Sequence, residues 1–188
     1  MNHFDMIIIG AGLSGIGAAC HLQLKHPNKS YKIIESRERM GGTWDLFRYP
    51  GVRSDSDMHT LGYSFKPWLD AKAIADGPAI RDYIKESAAE FGVDQHIHYQ
   101  RKVVAAAWDS TTAKWTLTIE NTSSDERRET EILTCNFIYS CTGYYRYDQG
   151  FTPDFPDADQ FKGQVVHPQL WPEDLDYSGK RIVVIGSG

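Results

Sequence analysis

An unbroken apolar run, Met6-Ile7-Ile8-Ile9, stops at Gly10-x-Gly12-x-x-Gly15, and this stretch constrains the fold more than any other. Consecutive apolar residues without polar alternation predict a strand buried on both faces, as in a parallel sheet. Ile16 to Leu24 then carries apolar residues at helical spacing and ends at His26-Pro27. Each glycine between strand and helix has a physical role. Gly10 permits a tight turn, Gly12 lets a pyrophosphate approach the backbone, and Gly15 lets the helix pack close to the strand. The helix N-terminus adds free N–H groups and a partial positive charge, and Ser14 adds a hydroxyl. A second strand, Tyr31 to Glu35, ends in an acid 20 residues after Gly15. In a βαβ unit such an acid accepts hydrogen bonds from the ribose hydroxyls of an adenosine. It would repel a 2′-phosphate, so this first site favours FAD or NAD over NADP. Gly10, Gly12, Ser14, Gly15 and Glu35 are therefore the first cofactor contacts expected.

Residues 36–58 form a long segment containing Gly41-Gly42-Thr43-Trp44-Asp45-Leu46-Phe47-Arg48-Tyr49-Pro50-Gly51. Long loops are usually functional, and this mixture of glycines, aromatics and arginines suits contact with a flat cofactor. Ile80, Tyr83, Ile84, Ala88 and Phe91 recur at helical spacing and predict a core helix. Three strands follow, Lys102 to Trp108, Lys114 to Glu120 and Arg128 to Thr134, with a charged hairpin tip at 123–128. Asn136 to Cys141 predicts a return strand ending in Thr142-Gly143. This order resembles two-dinucleotide flavoproteins such as the glutathione reductase group. The resemblance implies a Rossmann-like α/β FAD-binding domain with a three-stranded β insertion, and a backbone group near Val103 facing the adenine.

Residues 144–179 are rich in Pro, Gly, Asp and aromatics and predict an irregular linker. Lys180-Arg181-Ile182-Val183-Val184-Ile185-Gly186-Ser187-Gly188 then repeats the opening pattern. Gly186 and Gly188 predict half of a second phosphate loop. The expected organisation is an FAD-binding domain over 1–145, a linker over 146–180 and the first strand of an NADP-binding domain over 181–188. A strand and half a loop cannot close a nucleotide site, so the chain is expected to be a fragment of a longer protein.

The 188 residues suffice for one core plus a piece of another. A net charge of −5 gives no reason to propose nucleic acid or an anionic membrane as partner. Cys20, Cys135 and Cys141 contain no C-x-x-C pair, which speaks against a disulfide framework or a metal site and for reduced cysteines in a cytoplasmic protein. The apolar N-terminus lacks the basic segment of a signal peptide, and no run is long enough to span a bilayer.

Two further motifs carry a family resemblance across the chain. Gly41-Gly42-x-Trp44-x-x-x-x-Tyr49-Pro50-Gly51-x-x-x-Asp55 and Phe161-x-Gly163-x-x-x-His167-x-x-x-Trp171-Pro172, with the first glycine loop, resemble the N-terminal part of class B flavin monooxygenases of the Baeyer–Villiger type. Pro168 departs from the Thr common after this His. The wording of 41–58 and 167–177 is most similar to the actinobacterial subgroup that activates ethionamide-type prodrugs.

The resemblance implies that NADPH reduces FAD and that a C4a-peroxyflavin transfers oxygen from O2. The acceptor would be a ketone, giving an ester or lactone, or the sulfur of a sulfide or thioamide. It implies that Thr43, Trp44, Asp45 and Leu46 line the flavin, that Arg53 approaches the nicotinamide side, and that Ser54 is among the cofactor contacts. Asp55 would be the catalytic residue of this segment, pairing with an arginine of the nicotinamide-binding domain beyond Gly188. His167 is expected in a linker role rather than as an acid/base. Three other readings are weighed. A heteroatom-oxidising flavin monooxygenase or N-hydroxylase fits the two fingerprints less well. A disulfide reductase needs a cysteine pair that 35–55 lacks. An FAD-binding module without activity fits this length of chain alone.

Overall fold

The computed structural model describes residues 2–123 and 129–186. Its centre is a six-stranded sheet in the order β3-β2-β1-β6-β5-β4. The strands are β1 (Asn2–Ile9), β2 (Tyr31–Ile34), β3 (Ile97–His98), β4 (Arg101–Asp109), β5 (Lys114–Asn121) and β6 (Thr130–Ser140). β3, β2, β1 and β6 are mutually parallel, whereas β6, β5 and β4 are antiparallel. Two long helices, α1 (Leu13–Lys25) and α4 (Gly77–Glu90), and two single-turn helices, α2 (Thr43–Leu46) and α3 (Met58–Leu61), lie between strands.

The apolar opening run is buried on both faces, as its lack of alternation predicts. Ile8 and Ile33 pack with Ile16, Ala19 and Cys20 of α1 and with Ile80 and Ile84 of α4. Successive side chains of a strand point to opposite faces, so Ile7 and Ile34 pack instead with Leu117, Ile119, Leu133 and Cys135 of the antiparallel strands. Burying one such isoleucine is worth about 1.5–3 kcal/mol. The helix begins at Leu13 rather than Ile16, because the glycine loop itself supplies the first helical turn.

The α/β fold with a β insertion is the one expected, but one boundary differs. Arg128–Thr134 and Asn136–Cys141 do not form two strands. Among the described residues they are the single strand β6, Thr130–Ser140. Thr130 to Cys135 pairs antiparallel with β5, and Leu133 to Ser140 pairs parallel with β1. The two ladders overlap at Leu133–Cys135, so no turn separates insertion from return strand. Of the hairpin tip expected at 123–128, all but Ser123 lies outside the described residues.

Residues 142–186 add no strand among the described residues, only one-turn 3-10 helices at Ala158–Gln160 and Pro168–Leu170. The strand expected from Ile182 pairs with nothing described, and Val183 and Val184 are more than four-fifths exposed. An isolated strand has no ladder to join and no face to bury. No described helix is long and apolar enough to cross a membrane.

Candidate dinucleotide site and fingerprint segment

The parallel strands deliver the glycine loop to their carboxyl ends, after the interior strand β1. The Gly10 N–H donates to the Ile34 carbonyl at 2.8 Å, and the Cys141 N–H donates to the Ile9 carbonyl at 2.8 Å. Gly10 has φ +102°, and a Cβ there would lie 2.6 Å from the Cys141 carbonyl oxygen. Only glycine fits this turn. α1 starts after Gly12 with no side chain capping it. Its first N–H groups are therefore left for an anion, and Ser14 is exposed beside them.

Glu35 follows the end of β2 and is buried. Its Oε2 accepts from the Ala11 N–H at 2.7 Å and its Oε1 from the Arg37 N–H at 2.8 Å. A carboxylate has about four acceptor directions, so capacity remains for ribose hydroxyls. β4 begins against the same residue, with the Arg101 N–H donating to the Glu35 carbonyl at 2.9 Å. Val103 is half-buried two positions on, where a bulge shifts the register between Val103 and Ala105.

Gly41-Gly42 lies directly on the loop. The Gly41 N–H donates to the Ala11 carbonyl at 3.0 Å, and a Cβ on Gly42 would sit 3.0 Å from the Gly12 Cα. Two bare backbones thus face each other beside an uncapped helix, a cradle that side chains would fill. Thr43, Trp44 and Leu46 on the following turn are half-buried. Asp45 turns inward instead, 1% exposed, into a cluster of arginines. Arg37 Nη2 donates to its Oδ2 at 2.8 Å and Arg48 Nη2 to its Oδ1 at 3.0 Å, with Arg39 Nε 3.6 Å from Oδ2.

Arg53, Ser54 and Asp55 are pinned by an antiparallel bridge between Arg53 and Asp76. The Ser54 N–H donates to the Ala75 carbonyl at 3.0 Å and the Gly77 N–H to the Val52 carbonyl at 2.9 Å. Ser54 is buried, whereas Arg53 and Asp55 are exposed. All three line a cavity of about 540 Å³ with Tyr49, Gly51 and Ile74. Phe47 joins Tyr49 and Tyr145 in an aromatic group, with centroids 6.0 and 5.1 Å away. The Tyr145 phenol is pushed above its ordinary value by its bond to Tyr144 and by burial, and then by Tyr144, Tyr49 and Asp55. The Asp55 charge is thus felt by this group.

The linker carries contacts that sequence reasoning missed. Gln169, buried, donates through Nε2 to the Arg146 carbonyl at 2.8 Å and the Tyr147 carbonyl at 3.2 Å. His167 Nδ1 accepts from the Gln169 N–H at 3.1 Å, and Nε2 lies 3.2 Å from the Phe151 carbonyl. A neutral ring protonated at Nε2 satisfies both bonds, an arrangement that holds linker segments together. Arg48 Nη1 donates to Glu173 Oε1 at 2.7 Å, tying the linker to the fingerprint segment. His167 was singled out by its fingerprint, whereas Gln169 and Glu173 carried no sequence signal beyond the polar richness of 144–179. A larger cavity, about 830 Å³, lies between the same two segments, with Trp44, Phe47, Tyr49, Trp171 and Tyr177 in its walls.

Gly186 is exposed with φ +116° and stands apart from this site, and Gly188 lies outside the described residues. Burial pushes the Cys20 thiol up to about 11 and raises Cys135 and Cys141 as well, so none is a ready thiolate. No group of three or more His, Cys, Asp and Glu among the described residues could hold a metal ion.

Residues 59–188 match the flavin-binding monooxygenase-like family, and residues 8–76 match the NAD(P)-binding Rossmann-like domain. Over all of the chain, 59% of residues are identical to the Mycobacterium tuberculosis protein MymA and 57% to the FAD-containing monooxygenase EthA of Mycolicibacterium smegmatis. The chain spans about 37% of the length of each. Among solved structures, a steroid monooxygenase bound to NADP superposes over the whole chain with a TM-score of 0.81 at 28% identity; the chain covers 35% of it. An open form of cyclohexanone monooxygenase gives 0.83 at 25% identity, again over the whole chain and 36% of that protein. The chain belongs to the flavin-binding monooxygenase-like family.

Proposed function

We propose that the protein carrying this chain is an FAD- and NADPH-dependent monooxygenase of the Baeyer–Villiger type. It inserts one oxygen atom of O2 into ketones to form esters or lactones, or oxidises sulfides and thioamides, and it acts in the cytoplasm. One observation carries the reading. The segment that backs the glycine loop through Gly41 and Gly42 is the same one that, further along, presents Arg53 and Asp55 to a cavity. The names of similar proteins support it, since one is an FAD-containing monooxygenase and one was solved with NADP.

FAD, when bound, supplies hydride acceptance from NADPH and activation of O2. This chain's own residues bind and orient it. Gly10, Gly12 and Gly15 open the backbone to the pyrophosphate, which Ser14 and the first N–H groups of α1 bind. Glu35 holds the ribose, and the backbone at Val103 faces the adenine. Thr43, Trp44 and Leu46 flank the flavin, while Asp45 acts from behind by fixing Arg37 and Arg48. Ser54 anchors the segment, and Arg53 meets the nicotinamide side. Asp55 is the catalytic residue: it positions a cationic partner and tunes the charge beside the reacting atoms. Residues 1–145 serve as the FAD domain and 146–180 as the linker. Residues 181–188, with Gly186 and Gly188, begin the NADP domain.

The test is turnover by the flavin-loaded protein that carries this chain. Ketone- or sulfide-dependent NADPH consumption with an oxygenated product is expected. Asp55→Ala is expected to cut oxygenation far more than FAD binding. A flavin-loaded protein that never forms oxygenated product overturns the reading.

A further inference from the structure

Tyr147 belongs to the linker by sequence, yet its side chain lies at the glycine cradle. A Cβ on Gly42 would sit 3.6 Å from the Tyr147 hydroxyl and 3.0 Å from the Gly12 Cα. The phenol oxygen therefore stands over the place where the two glycine backbones face each other. Its position is built. The Tyr147 carbonyl accepts from buried Gln169 at 3.2 Å. The Arg37 guanidinium lies 5.9 Å from the ring centroid, and Arg37 is itself held by Asp45 and by the Gly42 carbonyl.

The hydroxyl bonds to no described residue. Its ring is half-buried and anchored, but its one donor is left over. An anion at the cradle is the group that such a donor serves. O–H bonds to an ionised oxygen are short and about twice as strong as neutral ones, and the nearby Arg37 charge favours an anion at the same place.

We infer that Tyr147 is a further FAD-binding residue, closing the cradle from the linker side and donating its O–H to the cofactor's pyrophosphate. The inference rests on the FAD reading of the site. It makes the linker part of the cofactor site: Gln169, by holding the Tyr147 carbonyl, is a positioning residue for the pyrophosphate.

The experiment compares wild-type and Tyr147→Phe forms of the protein carrying this chain. FAD affinity is read by flavin fluorescence on titration of the apoprotein, and the pyrophosphate environment by ³¹P NMR of bound FAD. Removing the hydroxyl breaks no bond to a described residue, so Tyr147→Phe keeps the fold. The dissociation constant is expected to rise about tenfold, with a shift of at least one phosphorus resonance. Gln169→Ala, which leaves the phenol intact but frees its backbone, is expected to weaken FAD binding to a smaller extent. Wild type that binds FAD, with Tyr147→Phe matching it in affinity and ³¹P spectrum, overturns the assignment of Tyr147 alone. Wild type that binds no FAD overturns the cofactor reading and this inference together.

Discussion

Arg48 and Glu173 stand 125 positions apart and meet with Nη1 2.7 Å from Oε1. The other arm of Arg48 holds Asp45, and Asp45 holds Arg37. A chain of alternating charges therefore runs from the linker to the edge of the glycine cradle. Its members differ in exposure: Glu173 is 70% exposed, whereas Asp45 is 1% exposed.

That difference sets the expected cost at each end. Glu173→Gln removes an exposed charge, so unfolding free energy is expected to change by less than about 1 kcal/mol. The linker, by contrast, loses a tether. Limited proteolysis is expected to cut 144–180 faster in the variant; an unchanged cleavage rate removes the tether role.

Asp45→Asn is expected to be far more costly. It leaves Arg37 and Arg48 facing a neutral group in a buried place, and breaking such a pair costs about 3 kcal/mol. Urea denaturation checks the loss. A midpoint equal to wild type means that the cluster contributes nothing to stability.

Gly42→Ala tests the cradle. The new Cβ would press on the Gly12 Cα at 3.0 Å in a backbone with φ +55°. The expected result is a loss of about 1–3 kcal/mol in stability together with weakened FAD binding, read by fluorescence titration. Wild-type FAD affinity in a folded variant would show that the cofactor does not use this gap.

His98 gives the fold a pH dependence. Burial first, and then the positive charge of Lys32, hold its imidazole below the ordinary 6.5. The unfolded chain takes a proton as pH falls through 6.5, and the folded chain resists. Below 6.5 the unfolded state binds more protons, so stability falls with pH until the lowered folded value is passed. Above 6.5 this group adds no slope. Urea midpoints measured between about pH 5 and about pH 8 are expected to fall on the acid side, with a smaller fall in His98→Gln. Equal slopes in the two proteins remove His98 as the cause.

Much of the site was legible because its logic is local. The strand, glycine loop and helix are neighbours in sequence, and Gly10, Gly12, Gly15 and Glu35 lie where that spacing puts them. The fingerprint to Asp55 was legible as a motif, and the structure brings Arg53, Ser54 and Asp55 to one cavity wall. The continuity of β6 was not legible. Nothing between Thr134 and Asn136 signals a turn, yet the expected pattern divided the strand there. One segment serves two ladders of opposite direction, which only the partner strands reveal.

The sequence by itself determined a buried parallel strand feeding a helix through a glycine loop, an acid at the end of the second strand, and a C-terminal stretch of irregular backbone. These follow from the steric freedom of glycine, the period of apolar residues and the charge of Glu35. Tertiary structure alone decided that Asp45 faces arginines from three positions, that Glu173 closes on Arg48, and that Tyr147 stands over Gly42. Those contacts join residues far apart in the chain. Their energies come from packing and charge pairing in three dimensions, which no local pattern records.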